Sequence, residues 1–148
     1  MSGDNEVLSR EDRYVLRNLI ERHARERGDN TFALFSTGDQ WSYARLRANV
    51  RKVAASLQSL GVKQDDFVLS WLPNGPHAIA VWFALNYIGA AYVPVNVSYR
   101  GRLLAHVIRN SGARLMVADA RLAERLAEVE TVNLDTLEIG RASCRERV

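Results

Sequence analysis

The strongest constraint on this chain is a rhythm that begins at Gly61. From there, short apolar runs alternate with helical stripes, and Gly61, Gly75, Gly89, Gly101 and Gly112 fall 11 to 14 residues apart at the junctions. Residues 66–72, 91–95 and 115–118 read as strands that are mostly apolar, as strands covered on both faces should be. Between them, residues 78–88 and 101–110 read as helices, the second with Leu103, Leu104, Val107 and Ile108 turned inward. Pro76 opens the first of these where its missing N–H costs nothing. Asp119 can cap a further helix carrying Leu122, Leu126 and Val129, and Thr131 to Leu134 reads as a last strand. Strands alternating with helices predict an α/β fold with a mostly parallel sheet. The sequences around the glycines do not repeat, which excludes a solenoid.

The residues before Gly61 follow a different plan. Residues 14–27 carry Leu16, Leu19, Ile20, His23 and Ala24 at helical spacing, with Ser9 or Asp12 as caps. Residues 31–36 and 41–43 read as two short strands about the turn residues 37–40, a hairpin. Residues 43–60 then form a helix whose stripe is Leu46, Val50, Val53, Ala54, Leu57 and Leu60. Ser42 suits its N-cap and Gly61 its C′ position.

At 148 residues the chain suits one domain or part of a larger one, and 47% apolar with 25% charged residues is ordinary for a globular protein. No run approaches the ~20 apolar residues of a membrane span. Met1 to Ser9 lack the apolar core of a signal peptide, so a cytoplasmic protein is expected. The net charge is +3, and the arginines lie among acidic residues without interleaved aromatics, so no nucleic-acid partner is expected. Cys144 is the only cysteine and cannot close an internal disulfide or a zinc cage. His23, His77 and His106 never stand at i, i+4, which removes the helical zinc pattern. His106 reads as a half-buried packing residue; Trp71, Trp82 and Tyr92 read as core. The acidic pairs Asp65–Asp66 and Glu124–Glu128 read as solvated charges.

A triphosphate is held by clustered backbone N–H groups, usually from a glycine-rich loop. Here nine glycines are present, but from Gly28 onward each stands at least ten residues from the next, so no such cradle exists. In open α/β sheets ligands collect beyond the carboxyl ends of the strands. That rule selects Leu72-Pro73-Asn74, Pro94-Val95-Asn96 and Ala118-Asp119 as the loops to inspect.

Ile139 to Val148 breaks the pattern, with neither alternation nor a stripe, and holds Arg141, Arg145 and Arg147 against Glu146. It resembles the in-frame translation of a DNA sequencing adapter. Three parts are therefore expected: a flexible segment at 1–13, a folded part at 14–138 and a non-native tail at 139–148.

Three segments resemble the AMP-forming acyl-CoA synthetase and adenylating-enzyme superfamily. Trp41-Ser42-Tyr43-Ala44-Arg45-Leu46 is similar to its first motif. Phe67 to Ile88, through Leu72-Pro73-Asn74, is similar to its proline-asparagine strand end. Leu85-Asn86-Tyr87-Ile88-Gly89-Ala90-Ala91-Tyr92-Val93-Pro94-Val95-Asn96 is similar to the motif that follows. The resemblance covers Tyr14 to Leu134, roughly the first quarter of such an enzyme, and the 99–106 region looks most like ligases for short or carnitine-type acids. Arg45 departs from the family's Glu, so a reciprocal capping box cannot form. Gly75 and His77 stand where a Ser and an acidic residue are more typical. The resemblance implies a partial amino-terminal α/β subdomain of a ligase. Its parent would activate a carboxylic acid with ATP and Mg2+ as an acyl-adenylate and pass it to coenzyme A. The reactive groups would lie beyond Leu134, leaving no catalytic or metal residue here, and the fragment alone would be inactive and bind these cofactors poorly. If any residue meets a cofactor, Arg100 or Arg102 would meet the coenzyme A phosphates; the plainer reading is two solvent-exposed arginines. An adenylation domain that loads a carrier-protein thiol, or a non-catalytic α/β binding module, are the alternatives.

Overall fold

The computed structural model describes residues 15–129 and 138–141. The chain divides into two compact units, and the division falls inside one helix, between Asn49 and Val50.

The amino-terminal unit is a helix, a hairpin and the start of a second helix. Helix α1 spans Leu16–Glu26 and buries Ile20 and Ala24. Its N-cap is Val15, whose side chain offers no acceptor; Ser9 and Asp12, expected as caps, lie outside the described residues. Gly28 follows where a Cβ would come within 2.7 Å of the Ala24 carbonyl oxygen, so no other residue fits without a shift. Strands β1, Thr31–Leu34, and β2, Gln40–Ser42, pair antiparallel with an irregularity between Thr31 and Ala33. Helix α2, Tyr43–Ser59, starts as the sequence predicts: the Arg45 N–H donates to Ser42 Oγ at 3.2 Å. Arg45 cannot return a carboxylate to the cap. Its guanidinium instead donates to the Gln40 carbonyl at 3.3 Å.

The second unit holds a four-stranded parallel sheet in the order β4-β3-β5-β6. The strands are β3, Phe67–Trp71; β4, Ala91–Pro94; β5, Leu115–Ala118; and β6, Glu138–Arg141. Helices α3, Pro76–Ile88, and α4, Gly101–Ser111, make the crossovers; a short helix α5, Ala120–Ala123, runs into a 3-10 turn, Glu124–Glu128. The predicted α/β class with a parallel sheet is what forms.

Burial follows from the strand order. β3 is paired on both sides, and Val68, Leu69, Ser70 and Trp71 are all buried. Side chains alternate across a strand, so Leu69 and Trp71 share one face. With Val95, Met116 and Ala118 they pack against Leu104, Ala105 and Ile108 of α4 and against Leu122, Leu126 and Val129. Val68, Ser70 and Tyr92 share the other face, where α3 lies and Trp82 stacks on Tyr92 at 5.9 Å. Each fully buried apolar side chain contributes about 1.5–3 kcal/mol. Right-handed crossovers that run opposite ways from β3 require helices on opposite faces, as the contacts show.

Several side chains depart from their expected burial. Leu104, Ala105 and Ile108 set the inward face of α4, which turns Leu103 and His106 out to solvent. Trp82 is 44% exposed, covering Tyr92 from outside rather than filling the core. Leu60 is 50% exposed because the last turn of α2 ends before it. Residues 139–141, assigned to a tail outside the fold, pair with Met116 to Ala118. Strand pairing uses backbone N–H and C=O groups that every non-proline residue carries, so the missing side-chain pattern did not prevent it. The strand expected at Thr131 to Leu134 lies outside the described residues.

Candidate functional site at the carboxyl edge of the sheet

The chain leaves β3 for β4 on one side and returns past it to β5 on the other. The order reverses between β3 and β5, and ligands of open sheets bind at such a switch point, outside the carboxyl ends of the strands. The three loops selected from the sequence all reach this edge.

After β5, Asp119 closes the edge. Its N–H donates to the Trp71 carbonyl at 3.1 Å, tying β5 to β3 beyond their last paired residues. Its carboxylate accepts the Arg121 N–H at 2.9 Å, the predicted cap, and two guanidinium bonds at 3.0 and 3.1 Å. The Arg121 side-chain bonds hold the Asp119 carboxyl below its ordinary pKa; slight burial opposes them, and His77 at the start of α3 adds a smaller lowering. Arg121 is correspondingly raised. His77 is exposed in the first turn of α3, so the carboxyl edge brings it towards Asp119 across 42 residues of sequence.

After β4, residues 96–100 lead into α4. Asn96 Oδ1 accepts the Ser98 N–H at 2.9 Å and the Ser98 hydroxyl at 2.8 Å. The Asn96 carbonyl accepts the Tyr99 N–H at 3.0 Å and the indole N–H of Trp71 at 3.1 Å. Arg125, from the 3-10 turn after β5, donates to the Val97 carbonyl at 3.1 Å. This loop delivers Arg100 to the N-cap of α4 and Arg102 to its first turn. Both are exposed, and their guanidinium groups make no polar contact with another described residue. Free amides at a helix start attract anions, and two uncommitted guanidinium groups add to that field.

Sequence reading located the loops and Asp119 as a cap. It missed Arg121 and Arg125, which carry no local pattern, and read Trp71 as core alone. Among the described residues no three His, Cys, Asp or Glu side chains stand together to hold a metal ion, and no helix is long and apolar enough to cross a membrane. Asp65 and Asp66 lie at the opposite, amino edge. There Asp66 accepts the Lys63 N–H at 2.8 Å and Asp65 takes a left-handed backbone (φ 67°).

A parallel open sheet of this order belongs to the α/β class whose ligands collect at the carboxyl edge of the strands. Residues 20–145 match the family of AMP-binding enzymes, and the chain belongs to that family. It is 33% identical over 122 residues to a crotonobetaine/carnitine–CoA ligase of Salmonella paratyphi A, covering 80% of this chain and 24% of that protein. The structure resembles a Mycobacterium tuberculosis fatty acyl CoA synthetase, with a TM-score of 0.77 at 20% identity over 86% of this chain and 26% of that one. It also resembles an artificially fused adenylation–PCP protein from Klebsiella oxytoca, with a TM-score of 0.72 at 22% identity over 86% of this chain and 22% of that one. The chain thus spans about a quarter of the length of the curated relatives it matches.

Proposed function

We propose that this chain is the amino-terminal part of an AMP-forming acid–thiol ligase. Its parent joins a carboxylate oxygen to the α-phosphorus of ATP, releasing pyrophosphate. The thiol sulfur of coenzyme A then attacks the acyl carbon, and AMP and a proton leave. The observation that carries this reading is the family match across residues 20–145. The resemblance to crotonobetaine/carnitine–CoA ligase supports a short acid and coenzyme A as the pair joined. Developing phosphoryl charge needs preorganised donors and a metal ion. On this reading ATP and Mg2+ are held chiefly by the remainder of the parent. The part played here is support. On this reading Arg100 and Arg102, exposed at the start of α4, are the residues that meet the coenzyme A phosphates.

The test is ATP–pyrophosphate exchange by the full-length protein with a panel of acids, crotonobetaine and carnitine first. Acid-dependent exchange followed by coenzyme A-dependent AMP release is expected, and the 148-residue chain alone should show neither. Exchange with release only to a carrier-protein thiol would redirect the reading to an adenylation domain. No exchange with any acid would end it.

A further inference from the structure

We infer that Arg125 and Trp71 are positioning residues for coenzyme A: they clamp residues 96–100 and so set where Arg100 and Arg102 stand. The inference rests on the coenzyme A reading above and deepens it. Its basis is a pair of contacts that hold two consecutive carbonyls from two separate elements. Trp71 is fully buried in the central strand. A buried indole N–H needs an acceptor, and the acceptor it finds is the Asn96 carbonyl, 25 residues away in sequence. The next carbonyl, Val97, takes the charged Arg125 donor from 28 residues on the other side. Hydrogen bonds from charged donors are the stronger kind. Successive carbonyls held from different directions leave the loop little freedom to rotate about either one.

Arg125 is half-buried and sits one residue before Leu126, which is locked into the core. Its reach to the loop therefore starts from a rigid base. The buried ring of Trp71 gives the second anchor the same property. Arg100 begins three residues after Val97 and caps α4 without any side-chain bond of its own. Its placement has to come from the backbone before it. A functional group on a loop needs such support to stay within reach of its ligand.

The test compares Arg125→Met, which keeps an apolar stem, with Arg125→Lys, which keeps a donor. In the 148-residue chain, amide exchange at Val97, Ser98 and Tyr99 should accelerate about 10-fold in Arg125→Met, recover partly in Arg125→Lys, and leave the amides of β3 unchanged. In the full-length ligase, Arg125→Met should raise KM for coenzyme A roughly 10-fold with kcat and KM for ATP within about twofold. Trp71→Phe, which removes the donor together with part of a fully buried ring, should loosen the same amides. Unchanged exchange at 97–99, or a uniform fall of every kinetic constant, overturns the inference. If the loop loosens but Arg100→Gln and Arg102→Gln leave KM for coenzyme A unaltered, the clamp is real and the coenzyme A reading of the arginines is what fails.

Discussion

The two units of this chain hold together by different means. In the amino-terminal unit the contacts are short-range and partly solvated. Phe35 meets Trp41 edge-on at 5.1 Å, Phe32 meets Tyr43 at 5.6 Å, and His23 meets Tyr43 at 5.2 Å. Arg27 lies over the Tyr43 ring at 5.3 Å while bonding His23 four residues before it. Leu34 stays 74% exposed. In the second unit the contacts are long-range and dry, with Leu69, Trp71, Leu104 and Met116 removed from water. The first unit depends on aromatic edges and polar groups that titrate or solvate. The second depends mainly on apolar area, which pH does not touch, with Asp119 as a titrating group at its carboxyl edge.

The sharpest way to break this comparison is by truncation. Leu104→Ala should cost about 2–5 kcal/mol, because the fully buried site leaves a cavity. Leu34→Ala should stay within about 0.5 kcal/mol. Urea midpoints of the two variants measure it, and equal losses would show that the division is false. Gly89→Ala comes next. Gly89 ends α3 at φ 88°, and a Cβ would stand 3.1 Å from Gln64 Cγ, so about 1–2 kcal/mol should be lost.

Ser70 sharpens the same point in the opposite direction. It is 2% exposed on the central strand, and its hydroxyl has no partner among the described residues. A buried unsatisfied hydroxyl costs about 1–3 kcal/mol, so Ser70→Ala should raise the urea midpoint. A drop would reveal a bond to this hydroxyl.

The smallest expected effect is on pH dependence. Partial burial, then Arg27 and Arg22, hold His23 below 6.5, against a weaker opposing pull from Glu26. The folded state thus favours neutral imidazole: its contribution is full above pH 6.5 and is lost as pH falls through the lowered folded value. Asp119, held below 3.8 by Arg121, contributes fully above 3.8 and loses its share only in stronger acid. His23→Gln should flatten the first loss and leave the second, a difference readable in urea midpoints taken across pH. A midpoint that rises on acidification through the His23 range would reverse the sign argued here.

Much of this fold was readable before any coordinates. Ser42 and Asp119 cap their helices through local bonds to residues two or three further on. Strands 115–118 and 91–94 follow from unbroken apolar runs. The misreadings share a cause. Leu103, His106 and Trp82 lie on largely apolar helices, where spacing alone does not say which few residues face a neighbour. The carboxyl-edge loops were legible, because a general rule of sheet geometry selects them. Arg125 was not, because its partner is a backbone carbonyl, and a carbonyl leaves no mark in the sequence.

The sequence by itself determined the family and the order and type of the elements as far as α5, since periodicity, caps and motif spacing are local properties of a chain. Only the tertiary structure decided that β3 lies between β4 and β5, that Asp119 ties β5 to Trp71, and that Arg125 meets Val97. Those pairings join residues 24 to 48 positions apart. Which distant groups meet depends on how the apolar faces pack together, and no short stretch of residues contains that information.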